Sequence, residues 1–219
     1  MTGVHQSIQS SITVPTATYI GAVTSPSNLA TYTFSTNNIS TAANGRIVVL
    51  HVTYTGSGVA GSSSSVTIGG VSATLVGGVA PAGSQTSMEM WSAVVPTGAT
   101  ADFVLVVSNS SASLTVGWHV IYGAKSNTPV AVVSNSGSTS SVAYTLNIGS
   151  VPQCIVIAGT SWGSTAASST WTILTEDRDG QVNSRGHGSA HASPLSGTQS
   201  ITQTLSSADN WRGCAAAWR

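Results

Sequence analysis

The feature that most constrains the fold is an alternation of apolar and polar residues with period two, which recurs along the chain while helical periodicity is nearly absent. Every second residue between 114 and 122 is apolar, and residues 142–148 repeat the pattern. Between 46 and 54 both alternating sets are largely apolar, which predicts a central strand covered on both faces. Successive side chains of a strand point to opposite faces. The sequence therefore predicts an all-β fold.

Short polar turns divide the chain into about fifteen predicted strands. The clearest turn is Gly69-Gly70 between residues 66–68 and 71–75, because glycine supplies the positive φ that both centres of a tight hairpin turn require. Many short strands separated by polar turns are typical of a β-sandwich or barrel. We predict a jelly-roll-like β-sandwich of about 14–15 strands.

The same order of features occurs twice in the chain, about a hundred residues apart, which is too few copies for a solenoid. The parallel segments are 46–50 with 153–157, 64–68 with 169–173, 117–120 with 213–216, and 32–34 with 144–146. Either each half forms its own immunoglobulin-sized sandwich, or both halves supply strands to both sheets of one shared core. Because the junction 123–129 is short and has no charged linker, we favour one sandwich over 17–219, with halves 17–123 and 124–219.

The low charge of the chain excludes several functions. Six Lys or Arg and six Asp or Glu give a net charge of zero, so no basic stripe is available for nucleic acid. No apolar run approaches the ~18 residues of a membrane-spanning helix, so we expect no membrane insertion. Residues 1–11 lack the features of a secretory signal, which predicts use inside a cell or release by lysis or a specialised route. The 38 serines and 28 threonines indicate a surface kept soluble by hydroxyl groups.

The two cysteines, Cys154 and Cys214, are too few for a disulfide scaffold. Both lie in apolar, strand-like segments, where a free cysteine behaves as a small buried hydrophobic residue. We predict free thiols, with a disulfide as the alternative if their two strands are neighbours.

The densest polar segment is Glu176 to Gly180, which is followed by Asn183, Arg185, His187 and His191. We predict a solvated loop with local turns here. A calcium loop is the alternative, since Asp177 and Asp179 precede a glycine, but the Glu expected at the twelfth loop position is missing.

The histidines of the chain do not predict a metal site. His187 and His191 would lie about 13 Å apart along a strand, too far for one zinc ion. His51 and His119 fall in the middle of apolar strands, where a packed and hydrogen-bonded histidine is expected. We therefore predict no metal and no cofactor.

Tryptophan is unusually frequent, with six residues against two phenylalanines, and its ring stacks well on sugars. Trp162 lies among Gly, Ser and Thr and is the best exposed candidate, although a core position is an equal alternative. Trp171 follows on the next predicted strand. We predict a glycan-binding site formed by Trp162, Trp171, Asp177, Arg178, Asp179 and His187.

Catalysis is not predicted. A hydrolase needs paired carboxylates or a nucleophile with its base, and no Gly-x-Ser-x-Gly motif is present. Glu89 and Asp102 lie in adjacent predicted strands and could pair across a sheet, but we interpret them as surface or edge charges. The chain is expected to be non-enzymatic.

Four segments carry turn and core signatures in a fixed order: 66–71, Met90-Trp91, Pro96-Thr97-Gly98 and the final strand Trp211 to Arg219. Together they make residues 17–219 resemble a β-sandwich module of phage (or gene-transfer-agent-like) virion spike and fibre proteins and of bacterial surface proteins. These signatures concern turns and packing, so the resemblance implies a fold and brings no catalytic residues.

The resemblance and the uncharged surface together predict a non-enzymatic virion protein: a spike, fibre or decoration protein, assembled in the host cytoplasm and displayed on the particle surface. The expected partners are other virion proteins, further copies of the chain in a homo-oligomer, and host cell-surface polysaccharide. Residues 1–16 are predicted to dock onto another subunit. A stand-alone carbohydrate-binding or adhesion module is the alternative, and a glycan-degrading enzyme is a third interpretation that lacks visible acids.

Overall fold

The computed structural model describes residues 13–55, 61–80, 86–108, 113–149, 153–163, 166, 168–183 and 185–219. These residues form no helix, so none of them could cross a membrane as an apolar helix. The all-β prediction is confirmed. The strands are β1 (Thr16–Ser25), β2 (Thr31–Asn38), β3 (Ile47–Thr55), β4 (Ser63–Ile68), β5 (Val71–Ser72), β6 (Thr74–Val79), β7 (Thr86–Val94), β8 (Thr100–Val107), β9 (Ser113–Tyr122), β10 (Ala131–Gly137), β11 (Ser141–Asn147), β12 (Cys154–Trp162), β13 (Ser169–Trp171), β14 (Thr175–Val182), β15 (Arg185–Leu195), β16 (Thr198–Leu205) and β17 (Trp211–Trp218).

These strands form four antiparallel sheets, two from each half of the chain. Sheet A has the strand order β1-β9-β3-β7-β6, and sheet B has the order β2-β8-β4-β5. Sheet C has the order β10-β17-β12-β15-β14, and sheet D has the order β11-β16-β13. Within the described residues, no strand of the first half is hydrogen-bonded into a sheet of the second half.

Three apolar cores join the sheets into four layers, in the order B, A, C, D. The first core lies between sheets A and B and contains Leu50, Phe103 and Trp118. The second lies between sheets C and D and contains Tyr144 and Trp162. The third core lies between sheets A and C, a contact that we call the seam. Its buried apolar members are Ile47, Val49, Met88, Met90, Ile121, Ile155, Ile157, Cys214, Ala216 and Trp218.

The central strands explain why two sandwiches pack against each other. In β3, Val48 and Leu50 belong to the core of the first sandwich, whereas Ile47 and Val49 belong to the seam. The prediction of a strand covered on both faces is therefore confirmed for β3. Strand β12 has the same arrangement in the second sandwich. A sheet with two apolar faces must be covered twice, and each five-stranded sheet covers the other.

The sequence repeat corresponds to a repeat of strand order. Replacing β1, β9, β3, β7 and β6 by β10, β17, β12, β15 and β14 converts sheet A into sheet C. The segments that were parallel in sequence occupy equivalent strands, namely β3 with β12, β4 with β13, β9 with β17 and β2 with β11. We predicted one shared core in which each half supplies strands to both sheets, and this prediction is wrong. Each half contains enough alternating strands to close its own sandwich, and only the outer faces of the five-stranded sheets are left for the other half.

Local predictions had mixed outcomes. The hairpin is confirmed, because Ile68 pairs with Val71 and both Gly69 and Gly70 have positive φ. The free thiols are also confirmed: Cys154 faces the core of the second sandwich and Cys214 faces the seam, and both are buried. Of the predicted docking segment 1–16, residues 1–12 lie outside the described residues, and β1 begins at Thr16.

Candidate functional site at the seam

The polar segment 176–180 is a strand, and the predicted solvated loop and the calcium-loop alternative are both wrong. It belongs to β14, the edge strand of sheet C, and pairs with β15. The register of this pairing shifts between Glu176 and Arg178, which is a bulge at Asp177. A bulge re-aims a side chain relative to a regular strand. The Asp177 carboxylate reaches the seam, where its side chain is only 7% exposed.

A chain of hydrogen bonds crosses the seam through Asp177. The Nε2 atom of His119, on β9 of sheet A, lies 2.7 Å from Oδ2 of Asp177. The Nδ1 atom of His191, on β15 of sheet C, lies 2.8 Å from both carboxylate oxygens. On the other side of His119, its Nδ1 atom lies 3.2 Å from Nε2 of His51 on β3. Four ionisable side chains from both sandwiches therefore form one network.

Burial sets the charge of this network. Desolvation lowers the pKa of His119. Desolvation and the neighbouring His119 ring together lower the pKa of His51 well below its usual value. Burial alone would raise the pKa of Asp177, but the hydrogen bonds from His119 and His191 lower it overall. An ionised Asp177 carboxylate beside neutral His51 and His119 rings satisfies these shifts. One proton per contact is then enough: His51 donates to His119, and His119 and His191 each donate to Asp177.

A second pair of polar residues lies beside the network. The Arg178 guanidinium contacts both ring nitrogens of His187, with Nε 2.8 Å from Nδ1 and Nη2 3.1 Å from Nε2. His187 is buried, and burial together with the Arg178 charge lowers its pKa to about 3. The ring of Tyr19 packs edge-on against His119, with ring centroids 5.3 Å apart. Burial raises the pKa of Tyr19, and the Arg178 charge partly opposes that shift.

The predicted glycan-binding residues do not form a single site. Asp177 faces the seam, and Arg178 and His187 pair beside it. Asp179 instead accepts a hydrogen bond of 2.8 Å from the backbone N–H of Ser169, which ties β14 to β13. His187 and His191 have different partners, so they do not share a ligand.

Of the two equal alternatives for Trp162, the exposed position is wrong and the core position is confirmed. Its side chain is fully buried in the core of the second sandwich, and its Nε1 atom donates to the carbonyl of Ala166 at 2.9 Å. It fits there because Gly186 has no side chain: a Cβ at that position would lie 1.8 Å from the Trp162 ring. Trp171 is half-buried on β13 of sheet D, with its ring parallel to Tyr144 at 6.4 Å. Neither tryptophan reaches the seam.

Glu89 and Asp102 do not pair across a sheet, since they belong to different sheets, and their interpretation as surface or edge charges holds only for Asp102, which is exposed. Glu89 on β7 is buried and accepts hydrogen bonds of 2.9 Å from the Tyr54 hydroxyl and from Trp91 Nε1, so it is not a surface charge. Asp102 on β8 accepts a 2.7 Å hydrogen bond from the backbone of Thr36. Both carboxylates hold protein groups in place.

The network at the seam was not found from the sequence as a site. His51 and His119 were expected to be buried and hydrogen-bonded, which the structure confirms, but their partners come from the other half of the chain. The only sequence signal was a histidine within each of two otherwise apolar strands. Three donor atoms, from His119, Asp177 and His191, lie within 4.8 Å of one another, and such donors bind transition metals.

Comparison with known proteins gives no family for the chain. No family model matches it, and no curated protein matches it. A structure of the PBSX exported protein XepA is 9% identical with a TM-score of 0.23, and the match covers 93% of this chain and 86% of that one. A structure of BuGH86wt in complex with neoagarooctaose is 10% identical with a TM-score of 0.23, and the match covers 93% of this chain and 33% of that one. Likenesses at this TM-score assign neither family nor function.

Proposed function

We propose that the chain is a non-enzymatic structural or accessory protein of a virion, a spike, fibre or decoration protein that works by contact. The observation that best supports this proposal is the structural role of several of the chain's few ionisable side chains. Glu89 and Arg46 are buried, the side chain of Asp177 is only 7% exposed, and all three are hydrogen-bonded to protein groups. Groups held in this way stabilise a rigid block and are not free to act as an acid, a base or a nucleophile.

Arg46 illustrates this use of charge. Its side chain is fully buried and donates to the backbone carbonyls of Val95, Ser40, Thr97 and Gly98 at 2.8–2.9 Å. These carbonyls belong to the segments that enter β3 and leave β7, so the guanidinium fastens one end of sheet A. Rigid ends of this kind suit a protein that presents surfaces for assembly.

One exposed edge has the character of an assembly surface. Leu75 on β6 is 50% exposed. Val130, which precedes β10, is 45% exposed, and Val132 within β10 is 42% exposed. These two edge strands adjoin across the seam, because a Cβ on Gly77 would lie 2.8 Å from Val132. Unpaired strand edges are templates for pairing with another chain, and apolar patches exposed beside them mark interaction surfaces. The proposed partners are further copies of the chain and other virion proteins.

Attachment to host polysaccharide is the second part of the proposal, and a stand-alone carbohydrate-binding module is the second candidate. The feature that favours either is Trp171, half-buried on an edge strand and aligned with the Tyr144 ring. Binding to a glycan array that is lost in Trp171→Ala, without particle association, would favour the stand-alone module. Release of products from polysaccharide that is lost in Glu176→Gln would instead support a glycan-degrading enzyme.

Particle association is the decisive test. Particles purified from the organism that makes the chain should contain it in copy numbers that are multiples of three, five or six, measured by quantitative mass spectrometry. Antibodies against the purified chain should label the particle surface in electron micrographs. A chain without residues 1–14 should keep its fold by circular dichroism and fail to be incorporated. Recovery of the intact chain only outside particles would contradict the proposal.

A further inference from the structure

We propose that His119, Asp177 and His191 bind a divalent transition-metal ion, with Zn²⁺ as the best fit, and that this ion links the two sandwiches. The three donor atoms come from different strands and from both halves: β9 of sheet A supplies one, and β14 and β15 of sheet C supply the others. All of them lie within 4.8 Å of one another. This inference is independent of the proposed function, because it concerns what the seam binds and not what the outer surface contacts.

The donor types select the ion. Two imidazole nitrogens and one carboxylate are a combination that Zn²⁺ and neighbouring transition metals accept, with bonds of about 2.0–2.2 Å. Ca²⁺ and Mg²⁺ prefer sets of oxygen donors and are disfavoured here. Three protein ligands leave one position of a tetrahedral site for water.

The donor atoms must change their spacing to hold the ion. Donors around a tetrahedral zinc ion lie about 3.3 Å apart. Without the ion, the carboxylate oxygens of Asp177 lie 2.7 Å from His119 and 2.8 Å from His191, because protons bridge these atoms. Insertion of the ion would open these contacts by a fraction of an ångström and bring the two imidazoles closer. His191 is 24% exposed, so it is the ligand best able to adjust and the side from which an ion can enter.

His51 is placed to orient the metal ligand His119. Coordination by Nε2 of His119 requires its ring proton to sit on Nδ1, which lies 3.2 Å from Nε2 of His51. His51 Nε2 then accepts a hydrogen bond from that N–H, and His51 carries its own proton on Nδ1, a buried atom that has no hydrogen-bond partner in the described part of the chain. Each imidazole keeps one proton throughout, so the ion replaces two bridging protons by a change of tautomer. A hydrogen bond to the non-coordinating nitrogen is the usual support of a metal-binding histidine.

The neighbouring cation does not compete for the carboxylate. The Arg178 guanidinium contacts His187 through two of its nitrogens. The carboxylate of the adjacent Asp177 contacts His119 and His191 instead. The negative charge of Asp177 is therefore available to the ion in a site that is largely screened from water.

The test is a titration of the full chain, stripped of metal with a chelator, with Zn²⁺ alone in a calorimeter. We expect one Zn²⁺ per chain and a higher melting temperature with Zn²⁺ than with chelator. His191→Ala should weaken binding at least about tenfold, and Asp177→Asn should do the same. The matched control is Glu176→Gln, which neutralises the exposed carboxylate next to Asp177 on the same strand and should keep wild-type affinity. Co²⁺ should give the visible absorption of a four-coordinate site in the wild type and lose it in His191→Ala.

Two results would overturn the proposal. One is the lack of saturable Zn²⁺ binding by the folded wild-type chain. The other is equal affinity in the wild type and in His191→Ala, which would place the ion elsewhere. Because His191 is partly exposed, its replacement is expected to leave the fold intact, and circular dichroism of each variant checks this. His191→Ala therefore decides the question even if Asp177→Asn does not fold.

Discussion

The Nε2 atom of His119 and the Oδ2 atom of Asp177 lie 2.7 Å apart, although one residue belongs to the first sandwich and the other to the second. Most of the seam is apolar, with residues such as Ile47 and Ile157 in its core, and one further hydrogen bond joins its edge strands, from the Gly78 N–H on β6 to Ser134 Oγ on β10 at 2.9 Å. Apolar burial supplies attraction with little directional preference. A charge that is shielded from water must contact its hydrogen-bond donors, and this requirement restricts the relative positions of the two sandwiches. The pair His119 and Asp177 is therefore the contact in the seam best suited to define how the sandwiches pack on each other.

The first prediction concerns the strength of this contact. In metal-free protein, Asp177→Asn removes the charge that accepts hydrogen bonds from His119 and His191, and places an amide donor against their N–H groups. We expect the free energy of unfolding to fall by about 2–3 kcal/mol, measured by urea denaturation. Glu176→Gln, one residue away on the same strand with its side chain largely in solvent, should change it by about 0.5 kcal/mol or less. Equal effects of the two substitutions would show that the network contributes little.

The second prediction concerns acid. Burial and the Arg178 charge lower the pKa of His187 to about 3 in the folded chain, against about 6.5 for a histidine in solvent. Between these two pH values the unfolded chain binds the proton and the folded chain does not, so stability falls as the pH drops below about 6.5. The contribution of this residue approaches about 1.4 kcal/mol per pH unit within that window.

His187→Asn tests that contribution. Between pH 6 and 4, the free energy of unfolding should depend less steeply on pH in the variant than in the wild type. The difference in slope should correspond to nearly one proton taken up on unfolding. At pH 8, where His187 is neutral in both states, the difference between the two proteins reports the packing and the Arg178 contacts that are lost with the ring. Parallel pH profiles of the two proteins would mean that His187 is protonated in the folded chain.

The sequence predicted what depends on neighbours along the chain, and missed what depends on distant ones. Strand β3 was predicted with both faces covered because its own alternation requires it. Strand β14 was predicted as a loop because Glu176 to Asp179 are four consecutive charged residues, yet as an edge strand it needs pairing on one side only. Its polar side chains find partners on β9, β13 and β15. Tertiary contacts of this kind override local preference.

The burial of Trp162 has a similar cause. Its neighbours in sequence are typical of a loop, and only the pairing of Trp162 with Gly186 on the adjacent strand shows why a large ring fits at that position. The seam network depends on the packing of one sheet on another, which periodicity does not predict. A histidine in an apolar strand predicted a satisfied polar group, but not the identity of its partner.

The third prediction tests the space that Gly186 leaves for Trp162. Gly186→Ala would place a Cβ 1.8 Å from the indole, which is fully buried and cannot move aside. We expect a loss of about 3 kcal/mol or failure to fold, measured by urea denaturation and near-ultraviolet circular dichroism. The matched control is Gly180→Ala on β14, where the nearest atom would be 3.4 Å away. A Gly186→Ala protein as stable as the control would contradict the tight packing of this indole.

The fourth prediction concerns the buried cation in the first sandwich. Arg46→Met keeps much of the side-chain volume but leaves four backbone carbonyls, among them those of Val95 and Thr97, without the donors that now satisfy them. The contact with Val95 is buried, and a buried acceptor without a partner is costly, so we expect a loss of about 2 kcal/mol in the free energy of unfolding. Arg46→Lys should recover only part of it, because an ammonium group lacks the planar fork that reaches several carbonyls at once. Arg212→Met is the control, since that half-exposed guanidinium donates to a single neighbouring carbonyl. If Arg46→Met and Arg212→Met unfold at the same urea concentration as the wild type, the guanidinium of Arg46 does not fasten the end of sheet A.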